Sequence, residues 1–421
     1  MDAEVRRKGG PVGRAEEHET ERERAAEPER GEVRGAASRE PGAVGSAGTA
    51  AGPPPDPSAG FTAPPPGARF AELDAFRGVA VLMVLVYHYA LRYDGLAREV
   101  GLPGHGDLPV DWARPGLYGV HLFFMISGFV IAWSLSTASG LRGFALSRFS
   151  RIYPAFWVAA LATFAIVHAF GLPGREVGVG ALAVNLTMLQ DYLGVARVDS
   201  AYWSLTVELT FYAWAALLYA CGQLRRAELW CLPAMALGVL QFTGALEVPY
   251  SIQMLLIVKH AHLFAAGIVY HRIFRGEGRP IDGAFLALTA ACSFAIYPPA
   301  DALLLAAFHV PFALASTGRL RWIVRAPLLW LGGISYTLYL LHQNIGYVII
   351  REAGEAGAPP VLAIAVATAL VLALAQALTT FVERPASRAL RRRLGSPRPA
   401  GAAVPERTDR PARPVSADRG A

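Results

Sequence analysis

The stretch LDAFRGVAVLMVLVYHYA, residues 73–90, indicates the fold class of this chain. A helix that crosses a bilayer needs about 20 mostly apolar residues at 1.5 Å each, and this stretch is long enough for one. Two ionisable side chains interrupt it, Arg77 near one end and His88 near the other. A charged group at membrane depth is costly. Each is therefore either a functional residue or an anchor whose polar end reaches the lipid head groups.

The spacing of Arg77 and His88 bears on that choice. Ten residues separate them, and at about 100° and 1.5 Å per residue this gives roughly three turns, about 16 Å along the axis and about 20° from the same face. The spacing predicts that both side chains point into one groove. A single elongated ligand can then contact Arg77 with a charged end and His88 with a reactive end.

Composition places the chain among polytopic membrane proteins. Of its 421 residues 53% are hydrophobic, and the mean hydropathy is +0.34. The net charge of +6 comes from arginines in short loops and in the tail, which the positive-inside rule explains without a nucleic acid partner. The three cysteines, Cys221, Cys231 and Cys292, form no CxxC pair. Neither a disulfide framework nor a metal site is therefore predicted.

Three regions follow from the distribution of apolar residues. Residues 1–68 are rich in Pro, Gly, Ala, Glu and Arg and are predicted to be disordered and cytoplasmic. Residues 69–386 form the membrane domain, and residues 387–421 are predicted to be a disordered basic tail on the cytoplasmic side. The N-terminal region lacks the pattern of a secretory signal, so we expect the first membrane helix to direct insertion.

The predicted fold is all-α, a bundle of about ten transmembrane helices. Hydropathy puts these spans near residues 73–92, 117–136, 154–171, 203–220, 229–245, 252–271, 283–298, 301–317, 327–349 and 360–382. The apolar piece ALAVNLTMLQ, residues 181–190, is short for a span. It is either a re-entrant or interfacial helix or an eleventh span.

Loop charge favours ten spans in the cell membrane with both termini in the cytoplasm. In that topology the cytoplasmic segments contain most of the basic residues, and the opposite loops contain few. These basic residues are Arg142, Arg148, Arg151, Arg225, Arg226, Arg272, Arg275, Arg279, Arg319, Arg321, Arg325, Arg384, Arg388 and Arg391 to Arg393. An eleventh span would reverse this pattern in the second half of the chain.

The same topology gives a depth to the polar residues. Arg77 lies at the cytoplasmic end of the first span, whereas His88, His121, Glu208 and His342 all fall in the outer halves of their spans. Side chains of this kind are unfavourable against lipid. We therefore expect them to line one wet cavity inside the bundle.

Six segments together resemble the integral-membrane acyltransferase family 3 over about residues 70–388. The resemblance implies a multi-pass enzyme that O-acylates polysaccharides, lipopolysaccharide, peptidoglycan or antibiotics. It implies acyl-CoA as co-substrate, a carbohydrate or glycosylated acceptor and no tightly bound cofactor. The family's signature, an Arg, ten residues and a His in the first helix, matches Arg77 and His88. The segments are FRGVAVLMVLVYHY, GVHLFFMISGFVI, SRFSRIYPAFW, AYWSLTVELTFY, ISYTLYLLHQNI and FVERP.

Acyl transfer to an alcohol needs a general base, because an unactivated hydroxyl attacks a thioester slowly. Imidazole titrates near neutral pH, so His88 is the candidate base. A carboxylate usually orients such an imidazole, and Glu208 is the candidate by depth. The alternative for Glu208 is a packing role, hydrogen-bonded to an aromatic residue of its own segment.

The arginines are candidates for holding the donor. Arg148 and Arg151 stand three apart in RFSRIYP, and arginine binds phosphates through paired donors. The resemblance implies that they help to hold coenzyme A, although topology alone also favours positive charge there. Arg77 is predicted to bind a phosphate or the pantetheine carbonyl while the thioester reaches toward His88.

The remaining candidates are assigned to the acceptor or to packing. His121 stands where the family more often has Asp, so it is either a proton carrier, an acceptor ligand or an interfacial residue. Ser127 and Gly128 suit close helix packing, and Ser127 also offers a hydroxyl donor to the thioester oxygen. The other candidates are Tyr202, Trp203 and Ser204, which bind a sugar or belong to an interfacial belt, and His342 and Glu383, which match family motifs.

Two other classes of protein compete with the enzyme. A proton-coupled transporter also has intramembrane His, Arg and Glu, but the two halves of this sequence do not repeat each other. A non-catalytic scaffold leaves the outer-half His and Glu residues without a purpose. No GxSxG motif offers a serine nucleophile. The sequence selects neither the acyl group nor the acceptor nor the oligomeric state.

Overall fold

A computed structural model describes residues 70–138 and 140–393 of the chain, and within these ranges all regular structure is helical. We number the helices α1 to α17. They are α1 (Ala71–Val86), α2 (Tyr93–Val100), α3 (Gly119–Ser136), α4 (Leu141–Phe170), α5 (Val179–Asn185), α6 (Trp203–Ala220), α7 (Ala227–Trp230), α8 (Leu232–Phe242), α9 (Tyr250–Leu256), α10 (Ala261–Phe274), α11 (Asp282–Ile296), α12 (Pro299–Ala307), α13 (His309–Ser316), α14 (Ala326–Leu341), α15 (Gln343–Glu355), α16 (Pro360–Leu378) and α17 (Arg384–Arg393).

Six helical stretches of the described chain are long and apolar enough to cross a membrane. They are Ala71–Val100, Asp111–Ser136, Leu141–Phe170, Tyr250–Phe274, Pro299–Ser316 and Pro360–Leu390. Each coincides with a predicted span. The other four predicted spans fall on α6, α8, α11 and α14, which do not meet the same limits of length and apolarity. The protein is therefore an all-helical protein of membrane character, and the number of ten spans stays a prediction.

The structure describes part of the predicted C-terminal tail and none of the predicted N-terminal segment. The N-terminal segment predicted to be disordered, residues 1–68, lies outside the described residues. At the other end α17 continues the chain as helix to Arg393, beyond position 387 where we predicted the tail to begin. The rest of the tail lies outside the described residues.

Glycines bring the central helices into close contact. A Cβ atom on Gly332 of α14 would overlap the carbonyl oxygen of Asp74 in α1, and one on Gly128 of α3 would overlap the carbonyl oxygen of Phe264 in α10. Small residues let helix backbones approach closely inside a membrane. The pairs α1–α14 and α3–α10 thus form the centre of the bundle, and the main apolar core surrounds them.

Two of the central helices are interrupted. After Val86 the backbone of α1 continues through a π-helical segment, Tyr87–Arg92, before α2 begins. The predicted ninth span is broken at His342, between α14 and α15. Irregular backbone at membrane depth is tolerated where it is buried in protein or lines a cavity. Each interruption is therefore a candidate position for a functional site. The ambiguous segment 181–190 contains only the short helix α5 and a turn.

A buried ionic network joins α7, α10 and α11 at one end of the bundle. Arg272 pairs with Glu228 at 2.7 Å and with Asp282, and Arg279 pairs with Glu228 at 3.0 Å. Because each buried charge has a partner of opposite sign, its desolvation cost is offset. Arg272 therefore has a structural role.

Candidate functional site

Five helices, α1, α3, α4, α6 and α14, enclose a partly open cavity of about 750 Å³. The volume includes the solvent space at its open side. The lining combines aromatic and aliphatic side chains with a few polar groups. These residues are Arg77, Val120, Phe123, Phe124, Ile126, Ser127, Val130, Arg148, Arg151, Ile152, Ser204, Leu205, Glu208, Tyr212, Ser335, Tyr336 and Tyr339.

Three arginines predicted to hold the donor, Arg77, Arg148 and Arg151, all line this cavity. Arg77 donates to Asp74 of its own helix at 2.8 Å, and Arg148 donates to the Ser134 hydroxyl at 3.1 Å. Helices that are distant in the sequence therefore bring three guanidinium groups to one cavity. Such a group of arginines is suited to a phosphorylated ligand.

Glu208 lies in the same cavity and accepts two hydrogen bonds there. Ser127 donates to its Oε1 atom at 2.9 Å, and the Tyr212 hydroxyl donates to the same oxygen. Ser127 thus has a polar contact, while its neighbour Gly128 provides the close helix packing. These bonds hold the carboxylate among the arginines, and the structure does not join Glu208 to His88.

His88 lies in the π-helical segment that follows α1 and is half-buried. Its Nδ1 atom is 2.8 Å from the carbonyl oxygen of Val84. Since a carbonyl can only accept, this bond assigns the proton of the neutral ring to Nδ1 and leaves the lone pair on Nε2. The backbone thereby orients the imidazole, which is the role that we predicted for Glu208.

The ring of His342 lies beside that of His88. Their centroids are 4.7 Å apart and the planes are nearly perpendicular. His342 is 1% exposed, and its Nδ1 atom is 2.7 Å from the carbonyl oxygen of Tyr339. Its Nε2 atom is buried and has no hydrogen-bond partner among the described residues. Two imidazoles with the same orientation toward the backbone thus form a pair.

Tyr339 connects the cavity to this histidine pair. Its side chain lines the cavity, and its hydroxyl is hydrogen-bonded to the hydroxyl of Ser204 at 2.6 Å. Its ring centroid is 5.3 Å from that of His342. The order from the cavity outward is therefore Tyr339, His342 and His88.

His121 lies elsewhere, in an aromatic cluster between α3 and the segment before α10. Its ring is buried, and the ring centroid lies 5.3 Å from that of His260 and 5.4 Å from that of Tyr297. Neither of its ring nitrogens has a hydrogen-bond partner in the described chain. Trp203 packs on the other side of His260, at 5.4 Å. The structure therefore divides the four residues that we expected in one cavity among three places.

The two remaining candidates have structural contacts. Tyr202 is fully buried and donates to the carbonyl oxygen of Leu340 at 3.0 Å, a bond that joins the start of α6 to α14. Glu383 follows α16 in a second π-helical segment and interacts electrostatically with Arg151. Glu383 therefore belongs with the arginines of the cavity, whereas Tyr202 positions the helix that contains Ser204.

Sequence reasoning missed Tyr336 and Tyr339 of the cavity, whereas Tyr212 was among the Tyr and Trp residues of YWSLTVELTFY that we named as alternative partners of Glu208. One signal for Tyr212 was present, because it follows Glu208 by four positions and so lies on the same helix face. Tyr336 and Tyr339 had no comparable signal, since aromatic residues are common in membrane helices. In residues 70–138 and 140–393 no group of His, Cys, Asp and Glu is arranged to hold a metal ion.

Comparison with known proteins identifies the family of the chain. Residues 70–380 match the profile of a family described as an acyltransferase domain, which is most of the chain and includes the cavity and both histidines of the pair. The chain belongs to acyltransferase family 3. Glu383 lies three residues beyond the matched range.

Several curated acyltransferases are similar in sequence. Acyltransferase MdmB of Streptomyces mycarofaciens is 28% identical over 82% of this chain and 98% of its own length. The putative acetyltransferase ORF330 of Acidianus two-tailed virus is 27% identical over 38% of this chain and 42% of its own. Peptidoglycan O-acetyltransferase OatA of Listeria monocytogenes is 29% identical over 21% of this chain and 12% of its own. No solved structure matches the chain.

Proposed function

We propose that this family member moves an acyl group from acyl-CoA to a hydroxyl of a carbohydrate or a glycosylated small molecule, with His88 as general base. The observation that supports this most directly is the cavity with three arginines, connected through Tyr339 to a pair of oriented imidazoles. One end of that arrangement suits a phosphorylated donor. The other end suits deprotonation of an alcohol.

The donor enters with its phosphates toward Arg77, Arg148 and Arg151. Coenzyme A has several phosphate charges and a long neutral arm that ends in the thioester. The regular α-helical rise gives about 16 Å between Arg77 in α1 and His88 in the π-helical segment after it, a distance that an extended pantetheine arm can span. In this arrangement the coenzyme stays at the cytoplasmic mouth, and only its acyl end approaches His88.

The chemistry follows from the orientation of His88. Its Nε2 lone pair removes the proton of the acceptor hydroxyl, and the oxygen attacks the thioester carbonyl carbon. The carbon–sulfur bond breaks, and the thiolate takes the proton back from the imidazolium. Holding base and thioester together removes most of the entropic cost of the encounter.

The proposed acceptor is inferred from a similar protein, and the proposed orientation in the membrane is inferred from loop charge. One similar protein is named for O-acetylation of peptidoglycan, so we propose a sugar hydroxyl as acceptor here. Ten spans with both termini in the cytoplasm place the arginines on the inner side of the cell membrane. The acyl group, proposed to be acetyl, then passes to an acceptor on the other side of the membrane without transport of coenzyme A.

The test is release of free thiol by the purified chain in detergent, with acetyl-CoA as donor and a panel of methyl glycosides and peptidoglycan fragments as acceptors. We expect acceptor-dependent thiol release and an acylated product by mass spectrometry. His88→Gln should lower kcat by about 10²–10⁴, the usual contribution of a general base, with little change in the KM for acetyl-CoA. A wild-type chain without turnover, or a His88→Gln variant with normal turnover, contradicts the proposal.

A further inference from the structure

The Nε2 atom of His342 is a buried hydrogen-bond acceptor that lacks a donor in the described chain. Buried polar atoms without a partner are rare in native proteins, and each calls for an explanation. The imidazole ring that contains this atom lies beside the ring of His88, and the two ring centroids are 4.7 Å apart. Of the two rings in described contact with it, those of His88 and Tyr339, His88 is the one that gains an N–H donor during acyl transfer.

Contacts on both sides fix the ring of His342. Its Nδ1 atom is bonded to the carbonyl oxygen of Tyr339, and its own carbonyl oxygen accepts the hydroxyl of Tyr89 at 2.9 Å. The next helix begins immediately after it, and Asp199 accepts the N–H of Asn344 at 3.0 Å. The helix break is thus held in place, and the lone pair of Nε2 has little freedom to turn toward another donor.

None of the side chains with a described contact to the pair is a carboxylate. Asp199 interacts electrostatically with Tyr89 and Tyr347, but its oxygens accept the backbone N–H groups of Ala201 and Asn344. Tyr347 has its ring 6.5 Å from that of His88, and Arg92 and Arg175 interact electrostatically with His88. Tyr89 and Tyr339 face His342 with neutral side chains. Glu208, the expected carboxylate, is bonded to other residues. The described contacts that can stabilise a charged His88 are therefore neutral acceptors, the carbonyl oxygen of Val84 at Nδ1 and the lone pair of His342 beside Nε2.

We propose that His342 is a positioning residue for the general base, an inference that rests on the proposed role of His88. Its Nε2 atom accepts a hydrogen bond from the Nε2–H of the His88 imidazolium, while the carbonyl oxygen of Val84 keeps the Nδ1–H, the position that a carboxylate has in a catalytic triad. The contact exists only when His88 is charged. It therefore favours the transition state over the resting state, which is the condition for a contribution to kcat.

During acyl transfer one proton moves from the acceptor hydroxyl to His88 and then to the leaving thiolate. The O–H bond of the acceptor breaks, and its proton forms an N–H bond at Nε2 of His88. The acceptor oxygen bonds to the thioester carbon, and the carbon–sulfur bond then breaks with its electron pair on sulfur. While the proton is on His88, the new N–H is shared between the reacting oxygen and Nε2 of His342. The proton finally passes to the thiolate, and His342 ends the cycle neutral.

The experiment measures thiol release from acetyl-CoA, with methyl glycosides as the acceptor probe, across about pH 5 to 9, where imidazole titrates. It compares wild type, His342→Gln and His342→Leu as full-length chains. For His342→Leu we expect kcat to fall about 10²-fold and the acid limb of the profile to move about one pH unit lower, because the imidazolium has lost its acceptor. The KM for acetyl-CoA should stay within about twofold. His342→Gln keeps a carbonyl acceptor and should lie between.

His262→Leu is the matched control. His262 is equally buried, and both of its ring nitrogens lack partners among the described residues. We expect it to keep the wild-type pH profile. An unshifted acid limb in His342→Leu, or an equal effect of His262→Leu, overturns the inference. If His342→Leu does not fold, His342→Phe takes its place, because it also removes the acceptor and keeps a ring at that position. A wild type without turnover refutes the proposed function itself.

Discussion

At the scale of single residues, the arginines of the cavity differ in their protein partners. Arg77 is paired with Asp74, whereas Arg148 donates to a neutral hydroxyl, and both line the cavity with Arg151. Glu208 is the carboxylate in that lining. Asp74 beside Arg77 and Glu383 near Arg151 also contribute negative charge, so the suitability of the cavity for a phosphorylated ligand rests on the paired donors of its guanidinium groups rather than on net charge.

The first prediction separates donor binding from membrane topology. Arg148→Ala with Arg151→Ala should raise the KM for acetyl-CoA at least about tenfold and change kcat less, because phosphate contacts act on ground state and transition state alike. Arg319→Ala removes an exposed arginine that does not line the cavity. It should leave both constants unchanged. An unchanged KM in the double variant would show that these arginines serve topology alone.

At the scale of helices, two interruptions place the histidine pair. The π-helical segment after α1 contains His88, and the break after α14 contains His342. The Tyr89 hydroxyl, donated to the carbonyl oxygen of His342, joins one interruption to the other. π-Helical segments inside α-helices often occur at functional sites. Here the two irregular backbones stabilise each other's geometry.

The second prediction concerns the close contact of α1 and α14. A Cβ atom on Gly332 would overlap the backbone of Asp74, so Gly332→Ala should destabilise the protein by roughly 1–3 kcal/mol, as overpacking usually does. Gly333→Ala is the control. A Cβ atom there would lie 3.9 Å from a side-chain nitrogen of Arg384, which is an ordinary contact distance. Thermal unfolding in detergent measures both, and equal unfolding temperatures would contradict the prediction.

At the scale of the whole molecule, the orientation of the bundle decides which substrate comes from which side. The proposed topology puts the arginines toward the cytoplasm, where acyl-CoA is made, and His88 toward the other face. Arg142 and Asp107 are exposed residues on opposite sides in that scheme. Their accessibility therefore reports the orientation directly.

The third prediction uses cysteine labelling in a background where Cys221, Cys231 and Cys292 are replaced by serine. A membrane-impermeant maleimide added to intact cells should label the Asp107→Cys variant and spare the Arg142→Cys variant. After lysis both should react. Labelling of Arg142→Cys in intact cells would reverse the topology and would refute entry of the donor from the cytoplasm.

The sequence by itself determined the class of the protein. Apolar runs of bilayer length predicted helices, and six of them meet the requirement for a span in the structure. Six motifs in order indicated the acyltransferase family, and the family match confirms it. The sequence also made Arg77, Arg148 and Arg151 candidates for holding the donor. In the structure they line one cavity, and their role stays a prediction. These results depend on local composition and spacing, which a sequence states directly.

Only the tertiary structure decided how the polar residues are grouped. Topology gave His88, His121, Glu208 and His342 a common depth, but depth is one coordinate, and the direction in which each side chain points around its helix axis depends on the packing of neighbouring helices. The π-helical segment at His88 also departs from the regular 3.6-residue period on which the sequence argument relied. Packing therefore joined His88 to His342, Glu208 to Ser127, and His121 to His260.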